Sequence, residues 1–166
     1  MTGYENIYDD MRTDRRKAEN FILNFETEKK QYEAQKLEYL ANQKKENEGA
    51  GRKSLPSSPT EAEAVISAQY DADSENYSWL KAVELALKTF GERKHIFLEV
   101  RRESEKHCYG GRGRKGWVIY TQQHYSDKIQ QRFINDNGWL GERTIREWWQ
   151  QIISCVVECH LRILAK

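Results

Sequence analysis

The sequence predicts an all-α protein with a long N-terminal helix, a flexible linker and a small C-terminal helical domain. Two observations support this prediction. Long stretches in both halves of the chain lack proline and repeat apolar residues at helical spacing. Both prolines, Pro56 and Pro59, fall between those stretches. The expected parts are a polar helix over 1–48, a linker over 49–73 and a helical domain over 74–166.

The N-terminal helix is expected from about Glu5 to Glu48, a stretch rich in Glu, Lys, Gln and Ala. Glu28 and Gln35 stand where a second apolar stripe would lie, so a strong coiled coil is not encoded. The helix is expected to dock on its own domain or on a second copy, to stay partly solvated, or to bind another protein. Its one apolar stripe consists of Ala18, Phe25, Tyr32 and Tyr39, flanked by Phe21, Ile22, Leu37 and Leu40.

The linker contains the run ENEGAGRKSLPSSPTEAEA. Such a composition buries too little apolar surface to offset the entropy lost on ordering. A flexible tether is therefore expected, with an ordered surface loop as the alternative. A tether makes the N-terminal helix and the C-terminal domain separable units.

Positive charge is concentrated in the C-terminal half. The formal net charge of the chain is +1, yet residues 81–166 carry 16 Lys+Arg against 10 Asp+Glu, a balance of +6. All five tryptophans also lie from Trp79 onward. A domain that binds a polyanion such as DNA is expected to have its hydrophobic core and its positive charge in the same region of the chain.

Targeting and disulfide signals are not found in the sequence. No apolar run approaches the ~20 residues that span a bilayer, and the N-terminus has no apolar signal-peptide region. Three cysteines are an odd number and do not suggest a disulfide framework. A cytoplasmic protein without membrane partners is expected.

The C-terminal domain is expected to begin with two helices. SENYSWLKAVELALKTF carries apolar residues at helical spacing, and ERKHIFLEVRRESE follows directly. The short connection predicts that they pack antiparallel. CYGGRGRKGW then forms a basic loop, expected to contact a DNA backbone. Residues 117–121, WVIYT, fit either a short strand or the start of a helix.

Residues 126–153 are predicted to form a short helix, a turn and a longer helix. Ser126 suits the N-cap of the first helix, and residues 135–138, NDNG, have turn chemistry. The second helix is expected to begin near Gly141 or Glu142. This layout is typical of a helix-turn-helix whose second helix enters the DNA major groove. Trp139 and Leu140 are expected to cap the small core between the two helices. The inward residues of the helices are expected to be Ile129, Phe133 and Ile134, then Ile145, Trp148, Trp149, Ile152, Ile153 and Val156.

The polar face of this second helix suits base reading. Arginine can bind guanine O6 and N7, glutamine can bind adenine, glutamate accepts from cytosine, and the threonine methyl meets that of thymine. An ordinary amphipathic core helix with a solvated polar face is the alternative. The candidate base contacts are Arg143, Thr144, Arg146, Glu147 and Gln150, and the candidate phosphate contacts are Arg112, Arg114, Lys115, Lys128 and Arg132.

Catalytic and metal chemistry are not indicated. Cys155, Cys159 and His160 lie close together on the last helix, but no CxxC spacing is present and buried free cysteine is the common case. No spacing argues for a Ser/His/Asp or Cys/His arrangement. We therefore expect no enzyme, no metal and no cofactor.

The order of the parts resembles the ArpU-type regulators of Gram-positive bacteria and their prophages, and more loosely the RinA-type activators. The resemblance rests on DRRKAENFI, on RKSLPSSP, on AVELALKTFGERKHIFLEVRRE, which is similar to sigma-factor C-terminal helices, and on GERTIREWWQQI. It covers most of the chain but contains no specific signature. It implies a sequence-specific transcriptional regulator in a bacterial host, encoded by a phage or prophage.

The expected function is sequence-specific binding of double-stranded DNA for transcriptional control. A single motif buries little surface, so a homodimer on two half-sites is expected, with the N-terminal helix as the candidate for self-association. RNA polymerase is a further candidate partner. The two rivals are a phage terminase small subunit, and a protein-interaction module that binds no nucleic acid.

Overall fold

A computed structural model describes residues 3–49, 59–107 and 116–165, and these residues form helices without any strand. The all-α prediction is confirmed. The helices of the described chain are, in order, α1 (Gly3–Leu23), α2 (Phe25–Gly49), α3 (Pro59–Asp73), α4 (Glu75–Thr89), α5 (Glu92–His107), α6 (Gly116–Arg132) and α7 (Glu142–Leu164).

One core joins helices from both ends of the chain. α7 packs on α4, α1 and α6, and α5 packs on α6. The expected antiparallel pairing of α4 with α5 is wrong, because each packs mainly on a different helix. Phe90, between them, has an extended backbone that ends α4. The apolar face of α5 then meets α6, where the rings of Phe97 and Tyr125 contact edge to face at 6.3 Å.

The N-terminal helix is interrupted at Asn24, and the single helix predicted from Glu5 to Glu48 is wrong in this respect. The Asn24 side-chain amide donates to the carbonyl of Asn20 at 3.2 Å, and asparagine competes with helical hydrogen bonds in this way. Arg102 of α5 donates to the carbonyl of Ile22 at 2.9 Å, which anchors the end of α1. Among the alternatives expected for the N-terminal segment, the structure shows the one in which it docks on its own domain. The buried members of its predicted apolar stripe are Ala18, Phe21, Ile22, Phe25 and Tyr32.

The predicted flexible linker over 49–73 is wrong for residues 59–73, which form α3. Pro59 stands at the first position of α3, where a missing N–H leaves no helical hydrogen bond unmade. Asp71 near the end of α3 binds Lys36 of α2 at 2.6 Å and accepts a hydrogen bond from the Tyr32 hydroxyl. Because α2 and α3 both pack on α4, the N-terminal segment is not a separable unit. Residues 50–58 lie outside the described residues.

The WVIYT run begins α6, and the short first helix predicted from Ser126 is wrong. α6 starts at Gly116, ten residues earlier, and Ser126 lies in its middle. Val118, Thr121 and Tyr125 are all buried and follow each other at helical spacing. Their burial against α5 outweighs the strand preference of the individual residues.

Candidate nucleic-acid interface

The connection between α6 and α7, residues 133–141, is a braced turn. Ser126 of α6 donates its hydroxyl to the carbonyl of Asn137 at 2.5 Å, and the Gln130 amide donates to the same oxygen at 3.1 Å. The side chain of Asn137 accepts from the backbone N–H of Trp139 at 3.1 Å. Two side chains of α6 thus fix the path by which the chain enters α7.

A contact from α5 also holds this turn. Asp136 accepts the backbone N–H of Gly138 at 2.8 Å and pairs with Arg93 at 2.5 Å. The Gly138 hydrogen bond, followed by Arg93, lowers the pKa of the Asp136 carboxyl. The Arg93 guanidinium also lies 5.0 Å from the centre of the Phe133 ring. The turn is therefore anchored to both α5 and α6.

Glycine is required at position 138 for two reasons. Gly138 has φ +60°, in the left-handed region that favours glycine. A Cβ at this position would lie 2.6 Å from Cβ of Ile129, because the turn crosses α6 closely. The sequence NDNG thus predicts the turn correctly, and the close approach explains its last residue.

Two large apolar side chains of the turn are exposed. Ile134 is 92% exposed and Trp139 is 64% exposed. The prediction that Ile134 points inward is wrong, because α6 ends at Arg132 and the helical spacing ends with it. The prediction that Trp139 caps the core is also wrong, whereas Leu140 packs against the core. An exposed tryptophan and isoleucine therefore lie within ten residues of the start of α7.

The start of α7 carries four of the predicted base-contact residues. Arg143 is 91% exposed at its side chain and pairs with Glu147 at 2.7 Å. Arg146 pairs with Glu142 at 2.9 Å, and Thr144 is half-buried. Glu147 raises the pKa of Arg143, which stays charged. An open depression of about 660 Å³ is lined by Glu142, Arg143, Arg146, Glu147, Gln150 and Gln151.

Gln150, the fifth predicted base-contact residue, contacts α1. Arg15 of α1 donates hydrogen bonds to the side chains of Gln150 and of Ser154, the latter at 3.2 Å. Glu19 of α1 accepts from Nε1 of Trp149 at 3.1 Å. Helix α1 therefore lies along α7 from residue 149 onward and leaves the first two turns of α7 uncovered.

Two of the predicted phosphate contacts are paired within the protein. Lys128 binds Glu99 at 2.8 Å and Glu103 at 2.9 Å, and only 26% of its side chain is exposed. Arg132 lies 3.6 Å from Glu92 and is more exposed. This arrangement does not favour the phosphate-contact role predicted for Lys128. The remaining candidates, Arg112, Arg114 and Lys115, lie outside the described residues.

A buried arginine positions α7, and sequence analysis did not identify it. Arg101 of α5 is 4% exposed, and its guanidinium lies 4.4 Å from the ring of Trp117 and 4.8 Å from that of Trp149. Ser104 accepts from it at 3.1 Å, and Glu105 pairs with it. Arg101 comes four residues after Phe97 and therefore lies on the apolar face of α5. This spacing could have predicted its burial from the sequence.

The cysteines of α7 do not form a metal site in the part of the chain that the structure describes. Cys155 and Cys159 are free thiols, half-buried and one turn apart, and burial raises the pKa of the Cys159 thiol. No group of three His, Cys, Asp or Glu side chains is placed to hold a metal among the described residues.

Comparison with known proteins gives no relative: no protein-family model, curated protein or solved structure matches this chain. Among the described helices, none is both long enough and apolar enough to span a bilayer. The geometry of α6, the turn and α7 is therefore the basis on which a function can be proposed.

Proposed function

We propose that this protein is a sequence-specific DNA-binding transcriptional regulator that reads the major groove with the start of α7. The supporting observation is the uncovered polar surface of residues 142–147, carried by a helix whose entry turn is braced from α5 and α6. In this proposal α6, the turn and α7 act as a sigma-factor-like helix-turn-helix, in which the N-terminal residues of the second helix meet base edges.

The chemistry of this surface suits groove reading. Arg143 and Arg146 can each give a bidentate contact to guanine, and Thr144 offers a methyl group to thymine. Their ion pairs with Glu147 and Glu142 are exposed i,i+4 pairs, which solvent screens and which therefore contribute little to stability. The guanidinium groups can therefore leave those carboxylates for a base at little cost.

We assign base reading to the first two turns of α7 before Gln150. The contact of Gln150 with Arg15 means that this amide must exchange a partner before it meets adenine. Glu147 is exposed and accepts from cytosine N4 once Arg143 has moved to guanine.

The wider proposal follows from the size of the surface. One helix start buries little area, so a homodimer on two half-sites is proposed, with RNA polymerase as a further partner in a bacterial cytoplasm. The resemblance to ArpU-type regulators supports a phage or prophage origin.

The test begins with selection of bound sequences from a random duplex pool. Affinity for the selected duplex is then compared between the wild type and Arg143→Ala/Arg146→Ala. The double variant should lose at least about tenfold on the selected duplex, because each bidentate arginine–base contact is worth about 1–3 kcal/mol. Its affinity for random duplex should change much less.

Lys128→Ala is the matched control, because it removes a cation from the neighbouring helix that two carboxylates already hold. It should change affinity by less than about twofold, as expected for a charge that contacts no phosphate. Absence of duplex binding by the wild type at low salt would contradict the proposal.

A protein-interaction module is the second candidate, and the exposed turn favours it. Ile134 and Trp139 present two large apolar side chains to solvent at a rigid position. Tryptophan is enriched at the energetic centres of protein interfaces. If the protein is such a module, Trp139→Ala should abolish binding of a protein partner. Arg143→Ala/Arg146→Ala should then have no effect on DNA retention.

A further inference from the structure

Helix α1 runs antiparallel to α7 along its polar side. Glu19 contacts Trp149, whereas Arg15, one turn earlier in α1, reaches Gln150 and Ser154, further along α7. Packed helices lie about 8–10 Å apart. Helix α1 therefore packs beside the part of α7 that directly follows the proposed groove-reading surface, and its earlier residues run toward the C-terminal end of α7.

Two arginines of α1 are available beside this contact. Arg12 and Arg16 lie one helical turn apart on the same face, and both are exposed. Neither has an ion-pair partner among the described side chains, in contrast to Lys128, Arg143 and Arg146. Among the described side chains, no carboxylate therefore pairs with these two guanidinium groups, and both lie on the helix that packs along α7.

We propose that α1 is a second DNA-contacting element, in which Arg12 and Arg16 bind the sugar–phosphate backbone beside the groove that α7 enters. This inference rests on the proposed function of α7. The major groove is about 12 Å wide and admits one helix, so a neighbouring helix lies over the groove edge, where the phosphates are. Arginine suits that position because its planar fork donates two parallel hydrogen bonds to a phosphate.

Phosphate contacts from α1 also explain which cations attract the protein to DNA. The first two turns of α7 carry as many acidic as basic side chains: Glu142 and Glu147 balance Arg143 and Arg146. Lys128 is bound by two carboxylates. Phosphate contacts dominate the affinity of most DNA-binding proteins, so unpaired cations must be placed near the reading helix. Within the described residues, Arg12 and Arg16 of α1 are two such cations, and Lys94 of α5, which donates to Gln151 at 3.3 Å, is a third.

The test compares the salt dependence of duplex binding, from about 50 to about 200 mM salt, for the wild type and Arg12→Gln/Arg16→Gln. The logarithm of the DNA-binding constant falls linearly with the logarithm of the salt concentration, and the loss of two phosphate contacts should make this fall shallower by about 1.8 in slope. The preferred sequence should not change, because phosphate contacts carry no base information. Lys30→Gln/Lys45→Gln is the matched control, since both lysines are exposed on α2 and unpaired among the described side chains.

Three results would overturn the inference. A slope equal to that of the Lys30/Lys45 control means that α1 does not touch phosphate, and it leaves the role of α7 intact. Tighter binding by Arg12→Gln/Arg16→Gln means that α1 screens α7 from DNA. If the wild type binds no duplex at low salt, both the proposed function and this inference are refuted. That outcome differs from the first one, in which only the role of α1 is refuted.

Discussion

The guanidinium of Arg101 in α5 lies 4.8 Å from the centre of the Trp149 ring in α7. The same indole donates its N–H to Glu19 of α1, so one tryptophan is contacted from two helices. Both contacts lie one turn beyond Arg146, at the end of the proposed reading surface. The orientation of α7 therefore depends on a buried charge held by aromatic rings.

Arg101→Lys should destabilise the protein by about 2 kcal/mol, because a desolvated arginine–aromatic contact is worth about that much and lysine cannot stack as a plane. Urea unfolding followed by tryptophan fluorescence and circular dichroism measures the change. Arg143→Lys, at a 91% exposed side chain, is the control and should change stability little. A loss below about 0.5 kcal/mol for Arg101→Lys, the size of an ordinary surface substitution, would refute the stacking role.

Gly138→Ala should lower the free energy of unfolding by about 2 kcal/mol or more. The new Cβ meets Ile129 at 2.6 Å, and φ +60° is strained for alanine. Gly141→Ser provides the contrast, because Gly141 has open space, lacks a side-chain cap and stands at the N-cap of α7. Serine there should stabilise by a few tenths of a kcal/mol. Equal stability of the two variants would show that the turn is not closely packed.

Local signals predicted α7 well. The turn residues before Gly141 and the apolar spacing after it placed the helix start near Gly141 or Glu142, and the structure has it at Glu142. These signals act within a few residues of each other, so a single sequence contains them. The helix predicted over SENYSWLKAVELALKTF likewise coincides with α4, and the structure shows Ser74 as its N-cap, with a hydroxyl that accepts from the backbone of Tyr77.

Contacts between distant residues were not predictable. Lys128 appears free in sequence, yet Glu99 and Glu103 are brought to it only by the packing of α6 on α5. Gln150 likewise meets Arg15 across 135 residues of chain. Spacing along one helix reports which face a residue occupies but not which helix covers that face, so the availability of each predicted contact had to come from the structure.

His160 of α7 makes a buried contact that predicts a pH dependence of stability. Its ring stacks on Trp79 with centroids 3.6 Å apart. The Ser78 hydroxyl donates to the carbonyl of Glu75 at 2.7 Å, so at 3.0 Å it accepts from Nε2–H of His160. Nδ1 is buried without a hydrogen-bond partner among the described residues, and a proton placed there would have no acceptor.

Burial lowers the pKa of His160 below its ordinary value, an effect that the nearby carboxylates of Asp14 and Glu75 only partly oppose. The unfolded chain thus binds the proton more tightly than the folded one. Stability from this site is complete above the ordinary histidine pKa of about 6.5 and is lost as pH falls below it, toward the folded value. The urea midpoint of the wild type should therefore fall between about pH 7.5 and about pH 5.5 by more than that of His160→Phe, which stacks on Trp79 but cannot titrate. The two proteins differ only at position 160, so the difference isolates His160, and parallel midpoint curves would refute its role.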